Sequence, residues 1–276
     1  MSLQVADVPW GQLRPKGTAA LSMGMLRNHI YLGRSSKRAI YRLLERHGPY
    51  YDIEADGLRF RCRANDNGGE MIVINGRKLR RRAELQQVVA NLAPGDTFVD
   101  AGANFGMFVL YGAKAVGPTG RVIAIEPNPK LVERMRFNVT ANEFANVAVA
   151  PVALGPEPGQ AELHIPSTEQ DRASLLPVRG QDATLSVDVQ PLATVLAAHG
   201  VSRVDVLKID IEGYEDRALI PFFASAPKAV WPRRVLIERN GHLWQQDCIA
   251  HMLTLGYRVA WEKGRTDAML ELGQAA

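Results

Sequence analysis

Two periods of apolar and polar positions run along this chain, and the switch between them marks its organisation. From residue 97 onward, short apolar runs alternate with stretches of helical spacing. Thr97-Phe98-Val99-Asp100 reads as a buried strand, Phe105 to Val116 as a helix and Arg121 to Glu126 as a second strand. Leu131 to Asn142 reads as a helix and Val147 to Leu154 as a third strand. Gly155 to Gln181 breaks the rhythm with Pro156, Pro158, Pro166 and Pro177, and insertions of this kind in compact domains are often functional. The rhythm resumes with helix Leu192 to His199, strand Val204 to Asp210, helix Tyr214 to Phe223 and strand Arg234 to Glu238. Helix Asp247 to Leu255 follows, then strands Tyr257 to Glu262 and Ala268 to Leu272 around a Lys263-Gly264 turn. Strand and helix in alternation predict βαβ units. The expectation is an α/β, Rossmann-like sandwich with a mostly parallel seven-stranded sheet ending in an antiparallel hairpin.

The first 84 residues follow a different pattern. An irregular lead precedes a basic helix that ends near His47-Gly48-Pro49. Tyr51-Asp52-Ile53-Glu54 and Leu58 to Arg63 then alternate apolar and polar residues about Asp56-Gly57, a hairpin signal. Asn65 to Gly69 is rich in turn formers. Leu85, Val88, Val89 and Leu92 have helical spacing, closed by Ala93-Pro94-Gly95-Asp96. The chain therefore divides into a small N-terminal β-containing region, 1–84, and a main domain, 85–276.

Composition adds limits. No apolar run approaches the roughly 20 residues that span a bilayer. Asp7, Pro9 and Pro15 interrupt the start where a signal peptide needs a continuous apolar stretch, so a cytoplasmic location is expected. Cys62 and Cys248 stand in no metal-ligand spacing and read as two unpaired thiols. The net charge of +4 is unevenly placed: Arg34, Lys37, Arg38, Arg42 and Arg46 recur along the basic helix, and Arg77, Lys78, Arg80, Arg81 and Arg82 form a second cluster. Such clusters suit phosphates, acidic glycans or a membrane surface, although a solvated helix face is the simplest reading. The nearby aromatics do not alternate with them as stacking platforms for single-stranded RNA would.

The strongest chemical signal is Asp100-Ala101-Gly102-Ala103-Asn104-Phe105-Gly106, between a buried strand and a helix. A nicotinamide fingerprint needs Gly-x-Gly-x-x-Gly to seat a pyrophosphate, and Asn104 stands where the second glycine belongs. Asp-x-Gly-x-x-x-Gly suits a cofactor without pyrophosphate, its amino-acid part held by the glycine loop and a carboxylate. Glu126, followed by Pro127-Asn128, ends the second strand, where an acidic side chain can accept bonds from both ribose hydroxyls.

Lys208-Ile209-Asp210-Ile211-Glu212-Gly213 closes the fourth strand, at the sheet edge where ligands bind. Charged residues at alternate positions of an apolar strand are costly unless paired or used. Asp210 is the candidate for contact with the reacting centre, with Glu212 on the acceptor side and Lys208 balancing their charge. His242, in the loop after the fifth strand, is a further candidate proton acceptor. Asp210, Glu212 and Glu238 are also oxygen donors of the type a hard divalent cation takes, but no spacing demands one.

Three segments together, Val99 to Gly106, Ile125-Glu126-Pro127-Asn128-Pro129 and Lys208-Ile209-Asp210-Ile211-Glu212-Gly213-Tyr214-Glu215, resemble the FkbM-type methyltransferases, with Ile237-Glu238 matching the family's fifth-strand end. The resemblance spans about residues 85–272. It implies a Rossmann-like methyltransferase sandwich, S-adenosylmethionine as donor, and O-methylation of sugars or secondary metabolites. By it, Asp100, Gly102, Asn104, Gly106, Glu126, Asn128 and Asp210 line the cofactor site. A small-molecule or glycan acceptor is expected to meet the N-terminal region, the insertion and the loop after Glu238, with Arg172, Arg179, Arg239 and His242 as candidate contacts.

Three other readings compete. An RNA methyltransferase has only the basic clusters in its favour, and the Asp-Pro-Pro-Tyr type of run is replaced by Ile211-Glu212-Gly213. A non-catalytic S-adenosylmethionine-binding domain is opposed by the intact charged run at the fourth strand. A nicotinamide oxidoreductase comes last, on glycine spacing.

Overall fold

The computed structural model describes residues 5–28, 30, 33–76, 82–166, 172–177 and 181–273. Arg77, Lys78, Arg80, Arg81 and Arg179 lie outside them. A seven-stranded sheet organises the chain, in the order β11-β12-β10-β9-β3-β4-β5. Its strands are β3 (Thr97–Ala101), β4 (Arg121–Ile125), β5 (Val147–Ala150), β9 (Val206–Ile209), β10 (Arg234–Glu238), β11 (Tyr257–Lys263) and β12 (Asp267–Leu272). β3, β4, β5, β9 and β10 are parallel, while β12 runs antiparallel to β10 and β11. The sheet anticipated from the sequence is therefore present, terminal hairpin included.

The central strands β3, β4, β9 and β10 are buried on both faces, which is why they read as unbroken apolar runs. Side chains on a strand alternate between faces. Phe98, Val122, Ala124, Val206 and Leu236 enter one core with α4 (Ala83–Ala90), α5 (Met107–Val116) and α6 (Pro129–Ala141). Val99, Ile123, Ile125, Leu207, Ile209 and Val235 enter the other, with α7 (Leu192–Ala198), α8 (Glu215–Ser225) and α9 (Cys248–Thr254). The chain is a three-layer α/β sandwich.

The expected third strand, Val147 to Leu154, divides. Pro151 cannot donate to a ladder. After β5 the chain leaves the main sheet, and β6 (Ala153–Leu154) joins β8 (Gln181–Gln190) and β7 (Gly159–Pro166) in a second, three-stranded sheet. The proline-rich insertion is thus a β-ribbon with its own small core of Ala153, Leu163, Val187 and Val189.

At the N-terminal end, β1 (Tyr50–Ala55) and β2 (Leu58–Arg63) form the anticipated hairpin, with positive φ at both Asp56 and Gly57 as a two-residue turn requires. Two helices beside it correct the reading of an irregular lead and a turn-rich segment: α1 (Gly17–Arg27) and α3 (Gly68–Ile74). The Asn67 side chain caps α3 by accepting from Gly69 N and Glu70 N. Among the N-terminal elements, α2 (Gly33–His47) is the basic helix expected.

Buried ion pairs seat this region. Arg61 donates through Nε and Nη2 to Asp52 at 2.7 and 3.0 Å, and its Nη atoms also reach the carbonyls of Val5, Val8 and Pro9. Arg134 of α6 donates to Glu70 at 2.6 Å and Asp66 at 2.7 Å. The side chains of Asn138 in α6 and Asn142 just past its C-terminal end bond the β2 backbone. The hairpin's apolar face enters the α4–α6 core through Ile53, Leu58 and Phe60.

Candidate functional site

The loops at the carboxyl ends of β3, β4 and β9 meet around an open cleft. Its floor is the glycine loop. The N–H groups of Gly102 and Ala103 donate to Ile125 O, and Asp210 N donates to Ala101 O, so three strand ends are drawn together. A Cβ on Gly102 would sit 1.8 Å from Asp210 O, and φ there is +77°. Only glycine lets the loops approach this closely.

Asn104, at φ +56°, turns its N–H onto Glu126 Oε2 at 2.9 Å. Its side-chain oxygen accepts from Phe105 N and from the Asn67 amide at 2.6 Å. The N-terminal region therefore reaches the glycine loop. Glu126 accepts from Asn128 N through its other oxygen, at 2.9 Å. Burial pushes the Glu126 carboxyl up to about 7, against those two backbone N–H bonds.

Lys208 lies beneath the floor. Its Nζ donates to Gly102 O at 3.0 Å and stands 3.3 Å from Asp100 and 3.6 Å from Asp210. Burial alone would depress the Lys208 ammonium, but the two carboxylates outweigh it and raise it. Burial lifts Asp100 to about 6, and Lys208 opposes that rise.

Among the described residues Asp210, Glu212 and Glu238 bring carboxylate oxygens within 4.8 Å of one another. Burial, then the neighbouring Asp210, lift Glu238 to about 8, and the two side chains are hydrogen-bonded to each other. The same oxygens form a donor set suited to a hard cation.

Of the residues singled out in the sequence, Gly102, Asn104, Glu126, Asp210 and Glu212 line the cleft. Asp100, Gly106, Asn128 and Lys208 support it from outside the lining: Asp100 is fully buried, Gly106 packs on Met135, and Asn128 caps α6. His242 is exposed in the turn after β10, and Arg239 is turned onto Glu262.

Several contributors were not anticipated. Val152, Leu154, Leu163 and Leu175 form apolar walls with Ile125 and Leu131, and Tyr214 completes them. The Ser174 hydroxyl donates to Glu212 O at 2.8 Å, tying the insertion to the strand-end turn. Glu215 accepts from Ile211 N, Gly213 N and the Trp244 indole, holding the turn in which Glu212 has φ +54°. Glu215 carried a signal in the Glu-Gly-x-Glu spacing; the wall residues had none, because only the second sheet brings them to the cleft.

Residues 100–259, more than half of the chain, match the Methyltransferase FkbM domain. The chain belongs to the FkbM methyltransferase family. Among its relatives, the 31-O-demethyl-FK506 methyltransferase FkbM of Streptomyces tacrolimicus is 28% identical over 201 residues, covering 62% of this chain and 74% of that protein. Methyltransferase 1 of Beauveria bassiana is 29% identical over 143 residues, covering 44% of this chain and 57% of that protein. The chain thus spans less than two thirds of the length of some relatives it matches. A SAM dependent methyltransferase from Aquifex aeolicus is similar at a TM-score of 0.40 and 17% identity, over 68% of this chain and 90% of that one.

The FkbM domain's methyl donor is S-adenosylmethionine, and the cleft fits it. A carboxylate with lone pairs to spare for ribose hydroxyls (Glu126), a side-chain-free floor (Gly102) and apolar walls for a purine are all present. No helix of the described residues is long and apolar enough to cross a membrane.

Proposed function

We propose that this FkbM-family methyltransferase methylates a hydroxyl oxygen of a sugar, glycolipid or secondary metabolite, with Asp210 as proton acceptor. The observation that carries this reading is the Asp210 carboxylate: it opens into the cleft with 38% of its side chain exposed, beside Glu212 and Glu238. Ligands in open α/β sheets bind at this edge of the strands. The Streptomyces relative's name, a 31-O-demethyl-FK506 methyltransferase, supports an oxygen acceptor.

When bound, S-adenosylmethionine supplies an electrophilic methyl group on a sulfonium. Glu126 takes the ribose hydroxyls, and Gly102 and Asn104 form the floor for the amino-acid end. Asp100, Gly106 and Asn128 hold that floor in place from below. Alignment of the acceptor oxygen is the main contribution, as a proximity effect. Asp210 accepts the hydroxyl proton as the new bond forms. Lys208 holds Asp210 through their ion pair, and Glu238 is hydrogen-bonded to it. Glu212 and His242 face the acceptor, with the N-terminal region (1–84) bracing the glycine loop of the catalytic domain (85–276).

The test follows methyl-labelled S-adenosylmethionine into separate oligosaccharide and glycolipid, secondary-metabolite and RNA fractions, with Asp210→Asn in parallel. Label is expected in a carbohydrate or metabolite fraction, insensitive to EDTA. Asp210→Asn should bind the donor yet lose turnover by at least about 100-fold, the lower range for general-base removal. Label in RNA alone, or near wild-type turnover in Asp210→Asn, would overturn the reading.

A further inference from the structure

Helix α2 carries a row of arginines that the cleft does not use. Arg34, Arg38, Arg42 and Arg46 recur at every fourth position, and all four are exposed. Steps of four residues advance only about 40° around a helix, so these guanidiniums form one stripe. Ile40, Tyr41 and Leu44 on the opposite side are buried. Glu45, the one carboxylate of the helix, is taken up by the Asn65 amide. Among the described residues none of the four arginines is paired with a carboxylate.

A solvated polar face would explain the charge, but not the apolar residues beside it. Thr18 of α1 and His47 of α2 are hydrogen-bonded at 2.8 Å, which sets the two helices side by side. Leu21 is three residues from Thr18, and Leu43 four residues from His47, so both lie on the side of that bond. They are 68% and 40% exposed. We propose that this surface docks on an anionic lipid bilayer, the arginines meeting headgroup phosphates and carboxylates while Leu21 and Leu43 enter the headgroup boundary. An RNA backbone would satisfy the arginines but leave both leucines in water, and the stripe offers no row of aromatics for bases.

The surface is also joined to the cleft. Tyr41, on the inner side of α2, donates to Asn75 at the C-terminal end of α3 at 2.6 Å. At the other end of α3, Asn67 donates to Asn104 of the glycine loop. A helix of this length spans about 10 Å. Docking through α2 is therefore linked to the glycine loop through two hydrogen bonds and one short helix. The proposal concerns binding and does not depend on the identity of the acceptor.

Co-sedimentation of the full chain with phosphatidylcholine vesicles, with and without roughly one third phosphatidylserine, tests it. Binding is expected on the anionic vesicles only, with release near ~1 M salt, where the Debye length falls to about 3 Å. Each arginine near such a surface contributes about five-fold, so Arg38→Gln with Arg42→Gln should weaken partitioning by about 25-fold at unchanged melting temperature. Leu21→Ser with Leu43→Ser should weaken it with every charge retained. Equal sedimentation with neutral vesicles, or an arginine variant that binds as wild type, would overturn the proposal. So would a single-stranded RNA that displaces the vesicles and binds the leucine variant undiminished.

Discussion

Gly102→Ala tests the construction of the cleft while leaving every side chain that lines it in place. The added Cβ would fall 1.8 Å from the Asp210 carbonyl oxygen and 2.9 Å from its carbon, where real contacts essentially never come under 3.0 Å. The β3 and β9 loops must then part by more than 1 Å. A side chain at φ +77° adds about 1–2 kcal/mol. The strained bond from Asp210 N to Ala101 O adds about 1 kcal/mol. Gly117→Ala is the control for backbone strain without a clash, because φ is +65° and ψ −177° there and no atom lies within 4 Å of the added Cβ. Titration calorimetry with S-adenosylmethionine and thermal unfolding read both variants. Gly117→Ala should bind as wild type and melt a few degrees lower, at ~2–4 °C per kcal/mol for a chain of this size class. Gly102→Ala should melt lower still and lose about 10- to 100-fold in affinity, the scale of one lost hydrogen bond to a charged group. Equal affinities for the two variants would refute the claim that this close approach forms the cofactor floor.

Other consequences are as direct. Glu126 sits near 7 because burial favours its protonated form, whereas the ribose hydroxyls it is proposed to hold would favour its ionised form. Donor affinity should therefore rise as pH goes from 6 to about 8 and level off; in Glu126→Gln it should be weaker by about 10- to 100-fold and flat with pH. A Glu126→Gln titration that keeps the wild-type slope would assign the slope to another group. Asp52→Ala leaves the Arg61 guanidinium, 3% exposed, without its partner, and urea unfolding should show a loss of about 3–5 kcal/mol; a loss below ~1 kcal/mol would mean that the three backbone carbonyls suffice. Asn67→Ala removes both the cap of α3 and the bond to Asn104. About 1 kcal/mol of stability should go with the cap, and donor affinity should fall several-fold even though Asn67 does not line the cleft. Unchanged affinity would uncouple the N-terminal region from the glycine loop.

The parts of the site legible in the sequence are those where chemistry and backbone geometry coincide on consecutive residues. Gly102 and Asn104 stand at a turn that needs positive φ, and Glu126 and Asp210 end strands at the ligand edge. Asn67, Ser174 and Leu163 were not legible, because each reaches the site from an element distant in sequence whose position depends on the packing of the whole molecule. Helix α1 was missed for a related reason. Gly17 and Gly24 lower its intrinsic helicity, and burial of Met23 and Leu26 stabilises it.

The sequence by itself determined the alternation of strand and helix, the order of the glycine loop, Glu126 and the Lys208–Glu212 run along the sheet edge, and the basic character of α2. These follow from local rules: side-chain period, turn chemistry, and the cost of burying charge on a strand. Tertiary structure alone decided that Lys208 lies beneath the floor between Asp100 and Asp210, and that Glu238 is hydrogen-bonded to Asp210. It also decided that the chain after Pro151 leaves the main sheet to wall the cleft. Such features depend on distances between segments tens of residues apart, and those are set only when both cores pack and the loops at one sheet edge are forced together.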